Sequence, residues 1–244
     1  KLKNIHSNFI TEYEYYLKTE KRLQLSTLNK AIQRFRKVLT FAISQNYLAK
    51  DPFILYKAKR EKKEVIYLDN IELQKLENHY FEIKRVQQIK DLFVFCCYTG
   101  LGFTEMINLK TSDIIKGFDG ELWLDIRRNK TQKSYRVPLL QQAKNILELY
   151  RNDSREAVFP RLSNPKFNAY LKEVAAVVGI EKNLTHHIAR KTFATTVLLY
   201  NDVPMEIVSE LLGHSKISTT QEHYAKVVQR KVSEEMNKLK LRIK

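Results

Sequence analysis

Apolar side chains recur at helical spacing along most of the chain. Between residues 26 and 47 they follow one another at intervals of four, three, four and three, which predicts an amphipathic helix with one face toward a partner helix. This stripe consists of Leu28, Ile32, Phe35, Leu39 and Ala42. A shorter helix is predicted before it at 8–19. Similar patterns predict further helices at 87–98, 141–151, 164–178, 187–200, 204–212 and 219–240.

The pattern changes to alternation between about 113 and 140. Leu122, Leu124 and Ile126 point to one side, and the intervening Trp123, Asp125 and Arg127 point to the other. After a polar turn, Tyr135, Val137 and Leu139 continue the alternation. We therefore predict a small antiparallel sheet of three strands in a mainly α protein, which is an α+β fold class.

Local signals predict where several helices begin and end. Asp69 with Glu72 forms a capping box, and Leu68 is placed to staple onto Leu73. Gly213 suits the position just after the helix at 204–212. Thr219 and Glu222 form a second capping box, which predicts that the last helix begins there.

A basic segment separates two regions of the chain. Pro52 stops helical propagation, and the following stretch KAKREKKEV has five basic and two acidic residues with almost nothing to bury. We predict a helical domain at 1–58, a basic linker at 59–65 and a second domain at 66–244. The chain opens on Lys1 without a clear cap, which leaves open whether a further N-terminal domain precedes it.

Composition and charge narrow the class of partner. Of 244 residues, 43% are apolar, and 43 Lys and Arg against 27 Asp and Glu give a net charge of +16. Such an excess favours a polyanion such as DNA or RNA. A membrane surface is the rival, but no apolar run approaches the roughly 20 residues that span a bilayer and no secretory signal is visible, so we expect a cytoplasmic protein. Cys96 and Cys97, inside LFVFCCY, predict a buried pair of thiols and no disulfide framework.

Four polar residues near the C-terminus form a candidate site. THHIARKTFAT supplies His187 and Arg190 three positions apart on one helical face, LLGHS supplies His214, and EHY supplies Tyr224. A metal site is the competing interpretation of the histidines. We disfavour it because His186 and His187 are neighbours and no clustered thiols or carboxylates complete a coordination shell.

This order and spacing resembles the tyrosine recombinases, also called the phage integrase family, and especially the integrases of phages and conjugative or other mobile elements. TGLGFTEMINLKTSDI resembles the family's first box, and RRNKTQKSYRVPL resembles its hairpin, with Lys130 as the hairpin lysine. HIARKTFATTVLLYNDVPMEIVSELLGHSKISTTQEHYAKV resembles its second box almost throughout. The resemblance implies a helical core-binding domain followed by a DNA breaking-rejoining catalytic domain.

The resemblance also implies a reaction and a role for each site residue. Tyr224 attacks a backbone phosphorus and forms a 3′-phosphotyrosine, with His187 as base. Arg190 and His214 stabilise the phosphate, and Lys130 protonates the departing 5′ oxygen. Covalent storage of the phosphodiester energy makes ATP unnecessary, so we expect no cofactor and no metal. The implied enzyme is a site-specific recombinase involved in DNA integration.

Two departures from the family pattern concern the same site. The family's first arginine should follow TGL, but residue 102 is glycine. We consider three substitutes, with a slight preference for the first, namely Arg128, Arg127 and Lys90. Glu105 matches a family carboxylate that would support this cation. The gap from Gly-His to tyrosine is one residue longer than usual, which puts His223 where a tyrosine is expected. The missing arginine keeps a second function open, a DNA-binding regulator of the same fold that no longer cleaves.

The expected partner is double-stranded DNA. Contacts from the first domain and the linker are predicted for Lys30, Arg34, Lys37, Lys59 and Arg60, although a solvated charged face explains the three helical residues as readily. The resemblance implies a homo-tetramer on synapsed DNA, a nucleoid-associated location, a DNA-bending host protein as a further candidate partner and no membrane. The apolar face of the tail, formed by Val228, Val232, Met236 and Leu239, is predicted to dock on a neighbouring subunit.

Overall fold

The computed structural model describes residues 5–59, 65–127, 134–151, 156–214 and 216–243. The chain divides into two compact units, Lys1–Glu64 and Val65–Lys244. Each unit has its own hydrophobic core. The described residues are mostly helical and include one small antiparallel sheet, as the sequence predicts.

The first unit is built on two helices, α1 (Ser7–Thr19) and α2 (Leu25–Ser44). The predicted stripe of α2 is confirmed, because Leu28, Ile32, Leu39 and Ala42 are buried and Phe35 packs against the same core. Residues of α1 and the loop after α2 complete this core. They are Ile10, Leu17 and Phe53.

The second unit places one helix at its centre. This helix, α4, is buried from Ile89 to Thr99, because LFVFCCY is apolar all round and Lys90 and Asp91 before it form a buried ion pair. Both cysteines are fully buried within it, as predicted. The helices of the unit are α3 (Asn70–Asn78), α4 (Lys84–Thr99), α5 (Phe103–Ile107), α6 (Gln141–Tyr150), α7 (Asn164–Val178), α8 (His186–Thr192), α9 (Met205–Leu211) and α10 (Ile217–Arg242). Helices α6, α7 and α8 pack against α4.

The sheet has the order β1-β2-β3 with antiparallel pairing, as predicted. Its strands are β1 (Ile114–Lys116), β2 (Leu122–Arg127) and β3 (Ser134–Pro138). Leu124 pairs with Val137 and Ile126 pairs with Tyr135, and all four side chains are buried on the core face. Register thus follows the predicted alternation, since a slip of one residue would expose this set.

The helix predicted for 187–200 is not uniform. It begins as α8, continues as a π-helix over Phe193–Leu198 and ends as a 3₁₀ turn over Leu199–Asn201. The π-helix is rare in proteins, and the short stretches that do occur are often found at functional sites. The periodic apolar pattern correctly indicates a helix here but does not reveal the change in winding.

One predicted cap is confirmed and one is wrong. Asp69 and Glu72 exchange both hydrogen bonds of a capping box, each at 2.9 Å. The second predicted box fails because α10 begins at Ile217, so Thr219 is its third residue and does not cap it. The turn after α9 is short enough for the new helix to start two residues before the expected position. None of the described helices is long and apolar enough to cross a bilayer.

Candidate active site

The Arg190 guanidinium joins two helix ends. Its Nη1 donates to the carbonyl oxygen of Gly100 at 2.5 Å, and its Nη2 donates to that of Leu212. Gly100 is the C-cap of α4, and Leu212 is the C-cap of α9. Helix C-termini carry partial negative charge from unpaired carbonyls, so a cation is stabilised there. Arg190 therefore links the TGLG segment to the LLGH segment.

Gly100 is required by the close packing of α8 on this turn. Its φ is +67°, in the left-handed region that favours glycine. A Cβ at this position would collide with the ring of Phe193, three residues after Arg190. The phenyl ring thus lies directly on the turn whose carbonyl receives Arg190.

The turn after α9 brings His214 toward the last helix. Gly213 N–H donates to Glu210 at 2.7 Å and His214 N–H donates to Ser209 at 3.0 Å, which is the pair of hydrogen bonds of a Schellman motif. Gly213 has a φ of +57°, and a Cβ there would approach Cδ1 of Tyr135 to 2.8 Å. His214 Nδ1 lies 2.8 Å from Thr220 Oγ1.

Tyr224 lies one helical turn after Thr220, on the same face of α10. Its side chain is only 4% exposed. Burial raises the pKa of the Tyr224 phenol to about 12, and the charge of Arg190 opposes this shift. Arg190 is therefore near enough to act on the phenol. Thr220 is not among the residues that the motifs predict, although its spacing of four from Tyr224 is a usable signal.

Two adjacent histidines on α8 have different surroundings. His187 is partly exposed, and partial burial, followed by the charges of Lys191 and Arg190, lowers its pKa. Its ring centroid is 5.1 Å from that of His186. His186 is buried, and burial lowers its pKa to about 4. Both rings are thus neutral at pH 7, and only His187 is open to solvent.

Glu105 lies beside the glycine that replaces the expected arginine. Its half-buried side chain, in the first turn of α5, folds back so that a Cβ at Gly102 would collide with Oε2. The negative charge of Glu105 and the positive charge of Arg190 act in opposite directions on the pKa of the buried Cys96 thiol. Both charges are therefore close to the same residue of α4.

Two of the candidate substitute cations, Lys90 and Arg127, lie within the described residues. Lys90 is buried in α4, where it lies 3.3 Å from Asp91 and donates to the Glu77 carbonyl at 3.4 Å. It precedes Gly100 by ten residues, about 15 Å along the helix. The structure thus does not support Lys90 as the substitute cation. Arg127 is exposed at the end of β2.

The remaining predictions concern the hairpin and the first unit. Lys130, Arg128 and Arg60 lie outside the described residues. In the first unit, the predicted DNA-contacting residues that the structure describes are exposed, namely Lys30, Arg34, Lys37 and Lys59. Within the described residues, no group of three or more His, Cys, Asp or Glu side chains is arranged to hold a metal ion.

Comparison with protein families decides the assignment. The model of the phage integrase family matches residues 67–230, which include Gly100, Arg190, His214 and Tyr224. The chain belongs to the phage integrase family. The phage integrase SAM-like domain matches residues 1–63. Membership makes the chain an enzyme of the tyrosine recombinase type, as the resemblance implied.

Individual relatives agree with this membership. Tyrosine recombinase XerD of Oceanobacillus iheyensis is 29% identical over 230 residues, covering 87% of this chain and 75% of the relative. Tyrosine recombinase XerD of Staphylococcus haemolyticus is 30% identical over 214 residues, covering 79% of this chain and 70% of the relative.

Solved structures share the fold. The Tn1549 transposon integrase in complex with circular intermediate DNA has a TM-score of 0.76 at 16% identity, covering 92% of this chain and 82% of that chain. The XerH site-specific recombinase bound to palindromic difH substrate has a TM-score of 0.74 at 20% identity, covering 95% and 72%. The predicted combination of a helical core-binding domain and a recombinase catalytic domain is confirmed at the level of fold.

Proposed function

We propose that this enzyme cuts and rejoins DNA strands at specific sites through a 3′-phosphotyrosine on Tyr224, without ATP or a metal ion. The observation that carries the proposal is the position of Arg190. Its guanidinium is held by the ends of α4 and α9, and its charge acts on the Tyr224 phenol. A nucleophile and a preorganised cation are two of the requirements for phosphoryl transfer.

The protonation states support a division of roles. With a pKa near 12, the Tyr224 phenol is neutral at pH 7 and needs a base to attack. His187, whose pKa is lowered, is neutral at the same pH and accepts the proton. The Tyr224 oxygen bonds to phosphorus as the bond to the 5′ oxygen breaks, and Lys130 gives that oxygen a proton.

Two further side chains stabilise the phosphate in this scheme. Arg190 presents a planar fork to two nonbridging oxygens. His214 donates to the same phosphate, and its bond to Thr220 fixes the orientation of the ring. Rejoining reverses the steps on a second strand, with the 5′ hydroxyl attacking the phosphotyrosine.

The burial of Tyr224 implies a movement before cleavage. A phenol that is 4% exposed must leave its present surroundings before a duplex phosphate reaches it. The movement we propose is a shift of the first turns of α10, which carry Tyr224. Solvent and nearby cations then favour the phenolate more than the buried position does.

We propose DNA as the partner of both domains, with residues 1–58 as the core-binding domain, 59–65 as the linker and 66–244 as the catalytic domain. The exposed row Lys30, Arg34 and Lys37 on α2 supports phosphate contacts, joined by Lys59 and Arg60. The active form is a homo-tetramer that holds two synapsed DNA duplexes and is associated with the nucleoid. A DNA-bending host protein is a candidate further partner. Exposed Val232, Met236 and Leu239 support docking of the tail on a neighbouring copy.

The missing arginine does not change this choice. The relatives described above carry the names of recombinases, and none of them is named as a regulator. We therefore propose that another cation acts beside Glu105, with Arg128 preferred to Arg127. The alternative of a non-cleaving regulator has no support from these matches.

Covalent trapping on randomised DNA tests the proposal without a defined target site. The chain is incubated with nicked duplexes carrying a randomised core, and covalent adducts are purified under denaturing conditions and sequenced. We expect a covalent adduct in which the DNA is attached to the peptide that contains Tyr224. Tyr224→Phe forms none, whereas the control Tyr80→Phe, at a residue that is 74% exposed, keeps it. DNA binding without any adduct would contradict the proposal.

A further inference from the structure

Tyr67 and Leu68, which lie two and three residues after the predicted linker at 59–65, are hydrogen-bonded to α8 and to the segment that continues from it. The hydroxyls of Tyr67 and Tyr200 are 2.9 Å apart. Leu68 N–H donates to Thr192 Oγ1 at 2.9 Å, and Thr196 Oγ1 donates to the Leu68 carbonyl. Both backbone polar groups of Leu68 are therefore held by threonine hydroxyls.

The three partners on the helical side form one row. Thr192, Thr196 and Tyr200 are spaced by four residues each. In an α-helix, positions four apart drift by about 40° at each step, so the ends of this row would point about 80° apart. The π-helix over Phe193–Leu198 winds more slowly than an α-helix, whereas the 3₁₀ turn that contains Tyr200 winds more tightly. The hydrogen bonds show that the hydroxyls of Thr192 and Thr196 both face Leu68.

The row is coupled closely to the active-site arginine. Thr192 is the second residue after Arg190 and belongs to the same helix. Its hydroxyl also contacts the Cys97 thiol of α4. On another side, Phe193 packs on Gly100, whose carbonyl accepts the Arg190 hydrogen bond. The threonine row therefore holds the helix whose position determines where the guanidinium lies.

We propose that Thr192 and Thr196 are positioning residues for strand cleavage, which act by anchoring the Arg190 helix to Leu68. Neither hydroxyl is required to touch DNA, and both act through Arg190. The inference rests on the proposed strand-transfer function. In this proposal Tyr67 and Leu68 do more than begin the second domain, because they form the fixed point to which the Arg190 helix is hydrogen-bonded.

The chain provides a matched control beside the row. Thr195 is as deeply buried as Thr192, at 0% exposure, but its Oγ1 makes no hydrogen bond within the described part of the chain. Thr195→Val and Thr196→Val are thus the same change in adjacent buried positions. Only the second removes a hydrogen bond, since valine has nearly the shape of threonine without the hydroxyl.

Two measurements on the full chain test the inference. Amide hydrogen exchange of the free protein is followed in peptides covering 186–192, with 141–150 of α6 as the internal reference. The rate of cleavage of a nicked duplex recovered by covalent trapping is measured in single turnover at saturating protein. The affinity of each variant for the same DNA is measured separately. Wild type is compared with Thr196→Val, Thr192→Val, Thr196→Ser and Thr195→Val.

We expect exchange over 186–192 to rise about five- to tenfold in Thr196→Val and Thr192→Val. Cleavage should slow about tenfold in both, while DNA affinity changes less than about twofold. Thr195→Val should match wild type, and Thr196→Ser should recover most of the rate because it restores the hydroxyl.

The two readouts separate the possible failures. If amide exchange over 186–192 is as slow in Thr196→Val as in the wild-type protein, the hydrogen bonds to Leu68 do not anchor the Arg190 helix. A cleavage rate in Thr196→Val equal to that in Thr195→Val overturns the positioning role even if exchange rises. If the wild-type protein forms no covalent adduct with DNA, the proposed strand transfer is wrong. The exchange comparison would still decide whether Leu68 anchors the Arg190 helix.

Discussion

Replacing Gly213 with alanine should damage both the fold and the reaction. The glycine forms the turn between α9 and α10 with a φ of +57°. A Cβ there would lie 2.8 Å from Cδ1 and 3.0 Å from Cγ of Tyr135. Tyr135 is buried in the sheet and has little room to retreat. The turn must therefore shift, and His214, the next residue, shifts with it.

The expected cost has two parts. Left-handed backbone costs a residue with a Cβ about 1–2 kcal/mol. Crowding the buried ring adds about 1–3 kcal/mol, the usual cost of overpacking. Gly213→Ala should therefore lower the free energy of unfolding by about 2–5 kcal/mol. A displaced His214 should also lose its bond to Thr220 and slow cleavage about tenfold or more.

Gly179→Ala is the matched control for backbone strain. Gly179 ends α7 with a φ of +73°, and a Cβ there would meet nothing within 4 Å. Gly179→Ala should cost only the backbone part, about 1–2 kcal/mol, and leave cleavage unchanged. Urea unfolding measures the stability difference, and single-turnover trapping measures the rate. Equal stability losses in the two variants would refute the reasoning, because they would show that the contact with Tyr135 adds nothing.

Three further experiments address charge. Burial lowers the pKa of His186 from 6.5 to about 4, so between these values the unfolded chain binds a proton that the folded chain does not. The free energy of unfolding should therefore fall by about 3 kcal/mol as the pH drops from 6.5 to about 4. Urea unfolding at several pH values measures this fall, and His186→Phe should not show it. Gly102→Arg should change single-turnover cleavage less than about twofold, because the cation proposed beside Glu105 already stabilises the phosphate, and a gain of about tenfold or more would show that no cation acts there. Removing three phosphate contacts on α2 should reduce the slope of log affinity against log salt by roughly 3, a prediction that an unchanged slope in fluorescence anisotropy would contradict. That triple variant is Lys30→Ala, Arg34→Ala and Lys37→Ala.

Local sequence was sufficient wherever local physics determines an element. Helix α7 begins and ends at the predicted residues, with Ser163 as its N-cap, Pro165 in its first turn and Gly179 at its end. The stripe of α2 and the alternation of β2 are also confirmed, because each has one face buried. Such signals depend on neighbours a few positions away in the chain.

Features that depend on distant contacts could not be predicted in this way. The hydrogen bonds from Leu68 to Thr192 and Thr196 span 124 and 128 residues. Nothing in an apolar pattern indicates that a helix will widen to meet them. Likewise, the order of motifs indicates that Arg190 belongs to a site, but not that its guanidinium binds the ends of α4 and α9.

The long gap between Gly213 and Tyr224 now has a physical account. Each helical residue turns the side-chain direction by about 100°, so the start of α10 alone does not determine which residue faces the site. The bond between His214 and Thr220 does, because it fixes one face of the helix next to the turn. Tyr224 lies four residues beyond Thr220, only about 40° from it around the helix, so it falls on that face. A single hydroxyl thus relates the spacing of the motif to the position of the proposed nucleophile.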